Sequence, residues 1–413
     1  MTANSEKIKF DIEFLRKVSQ PCAAGTTRLS YTDEYKQAAA YIKDKMSETG
    51  LEVLEDGIGN IYGRLCGTDA KLPAILCGSH LDSVKCAGAF DGIAGVACAL
   101  EVARILRRNK RALRHPFVVA ALVEEEGTRF GQACMGSKFA TGIYSEKELD
   151  TFADDSGLSL RTALKQYHPQ GFCAPFEMEK VIGKTAAFLE LHSEQGPVLE
   201  RENIDIGIVD KIVSVCWLSV TVTGFAGHSG TVPMTSRRDA GIGSFRMIDA
   251  INRFVTEKFP SAATATVGKL ELLPGSSNCI PDKCTFSIDL RSPDRNIISE
   301  IMEYINKQAA QVKKECAVNV DISIKTDLTP APLDLDVQKM IKKACNKLEY
   351  TSRPINSGAG HDAMVFAEKI SSAMVFIPCK DGITHNPLEK MSYASLAKGA
   401  DVLYETLLQI DEA

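Results

Sequence analysis

One stretch of the chain, residues 73–106, reads PAILCGSHLDSVKCAGAFDGIAGVACALEVARIL. It begins with a short apolar run that ends at His80, which is typical of a buried strand. It ends with an apolar-periodic segment that follows Asp91, which is typical of a helix. A strand, a glycine-containing loop and a helix in this order build helix-flanked parallel sheets. The stretch therefore predicts an α/β fold with polar side chains at the carboxyl end of a strand, where such sheets bind their ligands.

The same arrangement recurs along the chain. Five acidic or histidine side chains lie next to the ends of apolar runs, namely His80, Asp91, Glu126, His192 and His385. We expect them to meet, because the carboxyl ends of parallel strands share one edge of a sheet. Histidines combined with carboxylates suit borderline divalent ions such as zinc, and one carboxylate can bridge two ions. The sequence therefore predicts a metal site of the kind that metallohydrolases use.

Changes in the order of strand-like and helical segments divide the chain into three parts. Residues 1–211 alternate strand-like runs with helices, which predicts the first part of a catalytic α/β domain with a mostly parallel sheet. Residues 212–329 follow the order β-α-β-β-α-β, which predicts an inserted ferredoxin-like domain. Residues 330–413 resume the helix–strand alternation and are expected to return to the catalytic domain. Within the insert, the strand VSVCWLSVTVTG (213–224) is expected to face outward, where it could pair with a second copy of the chain.

Composition excludes several classes of protein. A net charge of −5 does not favour nucleic-acid binding, and the basic cluster at 104–114 follows a helix, whose negative end cations stabilise. The start of the chain lacks the pattern of a signal peptide and no run is long enough to span a membrane, so a cytoplasmic protein is expected. The thirteen cysteines are scattered without a Cys-x-x-Cys pair, which argues against a disulfide framework and against a thiolate zinc site.

Further polar residues lie beside the predicted ligands. Asp82 follows His80 by two positions and is expected to accept a hydrogen bond from the second imidazole nitrogen rather than bind metal. The run Glu124–Glu126 follows a strand too apolar to be a solvated face. Two neighbouring carboxylates there can have different roles, because one can bind metal while the other accepts a proton from water. Gln195 is expected to reach the same cleft.

The insert carries three more candidates. His228 lies in the glycine-rich stretch TGFAGHSGTVPM, from which it could donate a hydrogen bond to a developing oxyanion. Asn278 lies in PGSSNCIP, and Arg291 ends the strand-like run FSIDLR, where a guanidinium could bind a carboxylate through two hydrogen bonds. The remaining histidines, His115, His168 and His361, are not predicted to belong to the metal site.

Several motifs of the chain closely resemble those of one family, the amidase/hydantoinase/carbamoylase branch of the M20 metallopeptidases. They are GSHLDSV, EEEGTRFG, ELHSEQGPVLE, GHSGTVPM, RRDA, GAGHDAM and THNPLE, and the resemblance spans nearly the whole chain. Members of this branch include N-carbamoyl-L-amino-acid hydrolases, β-ureidopropionases and allantoate amidohydrolases, which cleave ureido C–N bonds with two divalent ions.

The resemblance implies a role for each candidate residue. One ion would be held by His80 and His192, and the other by Glu126 and His385, with Asp91 bridging the two. Glu125 would be the general base and Asp82 would orient His80. The substrate would be contacted by His228, Asn278, Arg291 and Gly360, and the family histidine that matches His228 usually comes from the neighbouring subunit of a dimer.

These roles imply a dinuclear amidohydrolase that converts an N-carbamoyl-L-amino acid or related ureido acid into an amino acid, ammonia and carbon dioxide. Two divalent ions per subunit are expected, zinc first, although manganese, cobalt or nickel would also suit the ligands. The expected partners are a small-molecule substrate and a second subunit joined through the insert. The alternatives are an allantoate amidohydrolase, a dipeptidase or N-acyl amino acid deacylase, and a non-catalytic relative that only binds a metabolite or a protein.

Overall fold

The computed structural model of the chain describes residues 2–22, 24–168 and 174–413. Within these ranges the α-helices, in chain order, are α1 (Ser5–Lys17), α2 (Asp33–Glu48), α3 (Ile93–Arg108), α4 (Met135–Ala140), α5 (Leu160–Tyr167), α6 (Glu179–Ile182), α7 (Val198–Arg201), α8 (Ala240–Lys258), α9 (Arg295–Cys316), α10 (Leu335–Lys347), α11 (Asp362–Phe366) and α12 (Tyr393–Glu412). The strands are β1 (Glu52–Glu55), β2 (Ile61–Leu65), β3 (Ala74–His80), β4 (Phe117–Leu122), β5 (Thr185–Ser193), β6 (Ile206–Ile212), β7 (Ser214–Thr223), β8 (Gly227–His228), β9 (Thr264–Thr266), β10 (Leu270–Leu273), β11 (Cys279–Ile280), β12 (Lys283–Ser292), β13 (Asn319–Leu328), β14 (Ala331–Pro332), β15 (Ser352–Ser357) and β16 (Ser371–Ile377).

The chain forms two compact units. The first unit comprises residues 1–210 and 332–413, and the second unit comprises residues 211–331. The first unit is therefore built from two separate parts of the chain, which join in one sheet. The sequence pattern predicted the corresponding boundaries at 211/212 and 329/330.

The first unit is organised around a large mixed sheet. Its strand order is β1-β2-β4-β3-β5-β16-β6-β14, and β15 pairs with β6. The four central strands, β4, β3, β5 and β16, run parallel to one another. On both sides of this centre the neighbouring strands run antiparallel. The predicted mixed α/β fold with a mostly parallel central sheet is thus confirmed.

The central strands are apolar because both of their faces are covered. All seven residues of β3 and all six of β4 are buried, which is the pattern expected of strands inside a parallel sheet. The helices α3 and α12 pack against the centre of the sheet and against each other, whereas α11 packs on β5 and β16. This core fixes the carboxyl ends of the four parallel strands at one edge of the sheet.

The second unit contains an antiparallel sheet and two long helices, α8 and α9. Its strand order is β10-β12-β7-β13, with β9 also paired to β12, and the elements follow the order β-α-β-β-α-β. The second predicted strand, 264–273, is split into β9 and β10, which pair with different parts of β12.

One expectation about this sheet is wrong. The strand VSVCWLSVTVTG was expected to face outward, but β7 pairs with β12 on one side and with β13 on the other. The edges of the sheet are instead β13 and the β9–β10 pair. The alternating pattern of β7 agrees with its one buried face, but such a pattern carries no information on how many neighbours a strand has. None of the helices in the described ranges is both long and apolar enough to cross a lipid bilayer.

Candidate metal centre

The five predicted metal ligands come together at the carboxyl edge of the central strands. His80 is the last residue of β3, and His192 is the penultimate residue of β5. Glu126 follows β4, His385 follows β16, and Asp91 lies in the loop before α3. The parallel alignment of β4, β3, β5 and β16 places these strand ends side by side. Residues that are up to 305 positions apart in the sequence therefore share one site.

Asp91 lies at the middle of this cluster, and its two oxygens face different neighbours. Oδ1 lies 3.0 Å from Nε2 of His192 and 3.6 Å from Nε2 of His80. Oδ2 lies 3.0 Å from Nε2 of His385. The same Nε2 of His385 lies 3.3 Å from Oε1 of Glu126. The arrangement thus contains two sets of donor atoms with one carboxylate between them.

The donor atoms suit divalent ions. The groups His80–Asp91–His192, Asp91–Glu126–His385 and His80–Glu125–Glu126 each bring their ligand atoms within 4.8 Å of one another. Oε1 of Glu126 is buried without a hydrogen bond of good geometry. A buried carboxylate oxygen in this state is expected where it binds a cation. Nitrogen and carboxylate oxygen donors together favour zinc and similar ions.

Backbone carbonyls set the orientation of two imidazoles. Nδ1 of His80 lies 3.1 Å from the carbonyl oxygen of Asp82, and Nδ1 of His192 lies 3.1 Å from that of Ser193. A carbonyl can only accept, so Nδ1 carries the hydrogen in both neutral rings and Nε2 offers its lone pair to the centre. Both rings are almost completely buried.

The charged side chains of the cluster shift one another's pKa values. Burial opposes ionisation of Asp91, but hydrogen bonds from His192, His385 and His80 outweigh it and hold the pKa of Asp91 well below its usual value. Burial likewise opposes the charged form of His385, but Asp91 and Glu126 raise its pKa to about 11. Imidazoles and carboxylates that share protons in this way release them when a divalent cation binds.

The three consecutive acids have different environments. Glu124 adopts a left-handed backbone conformation, and its Oε1 accepts hydrogen bonds from the backbone N–H groups of Arg129 (2.9 Å) and Phe130 (2.8 Å). Its other oxygen accepts from the hydroxyl of Ser30. Glu124 therefore stabilises its own loop. Sequence reasoning assigned it no role, and only the structure separates it from its two neighbours.

Glu125 faces the centre but belongs to neither of the two sets of donor atoms around Asp91. Its Oε2 lies 3.8 Å from Nε2 of His80, and the residue is 7% exposed. Burial raises the pKa of Glu125 well above its usual value, and the nearby acids Glu126 and Asp362 raise it further, although His80 opposes them. A carboxylate with a raised pKa beside a metal centre can accept a proton at neutral pH.

Asp82 contacts the acidic loop more directly than it contacts His80. Its Oδ1 and Oδ2 accept hydrogen bonds from the backbone N–H groups of Glu125 (3.0 Å) and Glu126 (3.2 Å). The carboxylate of Asp82 lies 3.7 Å from Nδ1 of His80, whereas the backbone carbonyl oxygen of Asp82 lies only 3.1 Å from the same nitrogen. The orienting contact predicted for the Asp82 side chain is thus made by its backbone, because the carboxylate is engaged by the N–H groups of Glu125 and Glu126.

Gln195 and Gly360 lie beside the centre. Nε2 of Gln195 is 3.4 Å from Oδ2 of Asp91, and this side chain is half-buried. Gly360 precedes His361, whose ring centroid is 4.5 Å from that of His192. His361 belongs to none of the three donor groups, but it packs on His192, one of the predicted ligands. Sequence reasoning missed this contact because the preceding strand, β15, is polar.

The second unit holds the remaining candidates at two separate places. His228 in β8 is exposed and pairs with Cys279 in β11, directly after Asn278. Nδ1 of His228 accepts a hydrogen bond from the N–H of Gly230 at 3.1 Å, so Nε2 carries the hydrogen and can donate it. Arg291 lies at the other end of β12, where its guanidinium contacts Asp289 of the same strand at 2.8 Å.

Comparison with known proteins gives the affiliation of the chain. The model of peptidase family M20/M25/M40 matches residues 78–409. The N-carbamoyl-L-amino-acid amidohydrolase of Paenarthrobacter aurescens is 39% identical over 412 residues, which are 99% of this chain and 98% of that protein. The allantoate amidohydrolase of Escherichia coli K12 is 33% identical over 405 residues, 98% of each chain.

Solved structures agree with these relatives. The crystal structure of AtUAH in complex with glyoxylate superimposes with a TM-score of 0.91 at 32% identity, covering 100% of this chain and 99% of that one. The resemblance drawn from the sequence motifs is thereby confirmed. The chain belongs to peptidase family M20/M25/M40.

Proposed function

We propose that the chain is a dinuclear metal amidohydrolase that cleaves the ureido C–N bond of an N-carbamoyl-L-amino acid or a closely related ureido acid. The products would be the amino acid, ammonia and carbon dioxide. The observation that supports this most is the position of Asp91, whose two oxygens face two separate sets of nitrogen and oxygen donors. The 39% identical relative that is an N-carbamoyl-L-amino-acid amidohydrolase supports the choice of substrate.

The proposed ligands divide into two sets around Asp91. His80, His192 and Oδ1 of Asp91 would hold one ion, and Glu126, His385 and Oδ2 of Asp91 the other. Zinc is the first expectation, and manganese, cobalt or nickel would suit the same donors. When bound, the two ions would polarise the ureido carbonyl and lower the pKa of the attacking water.

Proton transfer is proposed for Glu125. Its carboxylate would take a proton from the attacking water and deliver it to the leaving nitrogen as the C–N bond breaks. The carbamate left by this cleavage would then decompose to ammonia and carbon dioxide. Asp82 would hold the backbone of Glu125 and Glu126 through the two hydrogen bonds described above.

Recognition of the substrate is proposed for residues of both units. Arg291 would bind the carboxylate through two hydrogen bonds, and the N–H of His228 would stabilise the developing oxyanion. Gln195 and Asn278 would contact the ureido and carboxylate groups, and Gly360 would line the pocket. Gly360 suits that position because a Cβ there would meet only Met364 within the protein, at 3.5 Å.

We propose that the active protein is a homodimer joined through the second unit. His228 follows the end of β7 at Thr223, whereas Arg291 pairs with Val215 at the opposite end. Eight residues of extended strand separate the two ends by about 27 Å, which is far longer than a ureido acid. One substrate therefore needs His228 and Arg291 from different copies of the chain.

Surface composition supports the same interface. The second unit exposes large apolar side chains that an isolated unit would leave in water, namely Phe225, Met234, Ile242, Phe245, Leu270, Leu273 and Ile324. Ile242 and Phe245 lie on α8, and Leu270 and Leu273 lie on the edge strand β10, so these four support the interface most, whereas Ile324 lies on β13 at the opposite edge of the sheet.

A substrate panel tests the proposed reaction. The metal-reconstituted protein is incubated with N-carbamoyl-L-amino acids, ureidoglycolate, allantoate, N-acyl amino acids and dipeptides, and released ammonia or amine is measured. We expect the highest kcat/KM with an N-carbamoyl-L-amino acid. A preference for allantoate would favour the second candidate, which the Escherichia coli relative supports. Turnover restricted to dipeptides or acyl amino acids, or none despite bound metal, would contradict the proposal.

A further inference from the structure

Glu389 is a buried carboxylate at the metal centre that the proposed reaction does not use. It follows His385 by four positions and is 6% exposed. Its Oε2 accepts hydrogen bonds from the backbone N–H groups of Phe90 at 2.8 Å and Asp91 at 3.3 Å. Its Oε1 lies 3.2 Å from the hydroxyl oxygen of Thr384. One side chain thus contacts both the loop that carries Asp91 and the loop that carries His385.

Thr384 extends this contact to the carboxylate of Asp91. Its hydroxyl oxygen lies 3.2 Å from Oδ2 of Asp91, the oxygen that faces His385. Asp91 is therefore held at two points, at its backbone by Glu389 and at its side chain by Thr384. Both contacts come from the last part of the chain, about 300 residues away.

The packing around Glu389 leaves little room for the loop before Asp91 to shift. A Cβ on Gly88 would lie 2.2 Å from both Cβ and Oε2 of Glu389, so the loop before Asp91 rests directly on this side chain. Asp91 lies in a loop rather than in a strand, so no sheet hydrogen bonds fix its orientation. The contacts with Glu389 and Thr384 supply that constraint.

A bridging carboxylate is sensitive to its orientation. Each oxygen has to point at a different metal position, so a small rotation of the carboxylate weakens the binding of at least one ion. Groups that orient metal ligands in this way typically change metal affinity 10- to 100-fold when they are removed.

We propose that Glu389, together with Thr384, is a positioning residue that holds Asp91 in the orientation in which each of its oxygens faces one metal position. The inference rests on the dinuclear function proposed above. A purely structural role for Glu389 would stabilise the fold without changing the binding of metal to folded protein.

Calorimetric titration of metal-free protein with Zn²⁺ separates these possibilities. The variants are Glu389→Ala, which removes the contacts of Glu389 with the backbone of the Asp91 loop and with Thr384, and Thr384→Val, which removes only the hydroxyl. Thr384→Ser keeps the hydroxyl and is the conservative control for the second variant. Asp411→Ala is the matched control for the first, because Asp411 is also buried and also holds a distant backbone N–H, that of His115 at 2.9 Å, away from the metal centre.

The expected result is two bound ions in wild type and a 10- to 100-fold loss of affinity for at least one of them in Glu389→Ala. Thr384→Val should lose about tenfold, whereas Thr384→Ser and Asp411→Ala should stay within about threefold of wild type. If Glu389→Ala fails to fold, the contrast between Thr384→Val and Thr384→Ser decides.

Two ions bound with unchanged affinity in Glu389→Ala and Thr384→Val would overturn the inference while leaving the proposed function intact. An equal loss in Asp411→Ala would overturn it as well, since it would show a general effect of the fold. A wild-type protein that binds a single ion would instead contradict the proposed function itself.

Discussion

Replacement of Glu125 by Gln separates proton transfer from metal binding. Gln has nearly the same shape as Glu but cannot accept a proton. The loss of a general base typically slows a reaction about 100- to 10,000-fold, which corresponds to about 3 to 5 kcal/mol of activation free energy. The structure favours the upper part of this range, because Glu124 is held by three hydrogen bonds and Glu126 faces His385. Neither neighbour can replace Glu125.

The effect of Glu125→Gln on the rest of the protein should be small. No ligand in the two donor sets around Asp91 changes, so the affinity for both ions should stay within about threefold of wild type. Burial raises the pKa of Glu125 in the folded protein, so folded protein retains a proton that unfolded protein loses. The stability of metal-free wild type should therefore fall as pH rises above the unfolded pKa of this residue, and this component should be absent in Glu125→Gln.

Three measurements are combined: ammonia release at fixed reaction times, the content of bound metal, and thermal unfolding between pH 5 and 8. Glu126→Gln is the matched control on the adjacent residue, and it should lose affinity at one metal position. If Glu125→Gln lost an ion while Glu126→Gln kept both, the two roles would be reversed. If Glu125→Gln kept more than a tenth of wild-type kcat with both ions bound, the proposed general base would be refuted.

Three further predictions concern the second unit and the core. Arg291→Lys should raise KM about 10- to 100-fold with a smaller change in kcat, because an ammonium cannot form two parallel hydrogen bonds with a carboxylate; steady-state kinetics with the preferred substrate measures this. His228→Ala should lower kcat about 100- to 1,000-fold, and subunit exchange with inactive Glu125→Gln protein should restore part of the activity, unless His228 acts within its own chain. Gly78→Ala should destabilise the first unit by about 3 kcal/mol or more in urea unfolding, because the new Cβ would lie 2.0 Å from the carbonyl oxygen of Ala120, whereas Gly268→Ala, whose Cβ would meet only Oγ of Ser287 at 4.0 Å, should change stability little.

Sequence patterns identified side chains that meet at one site because the central strands are parallel. His80, Glu126, His192 and His385 follow apolar runs, and parallel strands bring such ends to one edge regardless of their distance along the chain. The rule depends on buried strands, and β3 and β4 are buried throughout. It could not detect His361, because the strand before it is polar and lies outside the parallel centre of the sheet.

Contacts between residues far apart along the chain could not be predicted from the sequence. The alternation in β7 agrees with its one buried face, but its position in the middle of the sheet follows from its pairing with β12 and β13. The different contacts of Glu124 and Glu125 accompany the left-handed backbone of Glu124, and the run of three acids gave no sign of it. The contact of Glu389 with Asp91 joins residues 298 positions apart and has no local signature.

The number of ions needed for turnover is the most direct test of the two-ion centre around Asp91. Protein stripped with a chelator is titrated with Zn²⁺ while ammonia release from the preferred ureido substrate is measured after each addition. The donor geometry predicts that activity rises until two equivalents per chain are bound and then remains constant. Full activity at one equivalent would contradict the dinuclear centre.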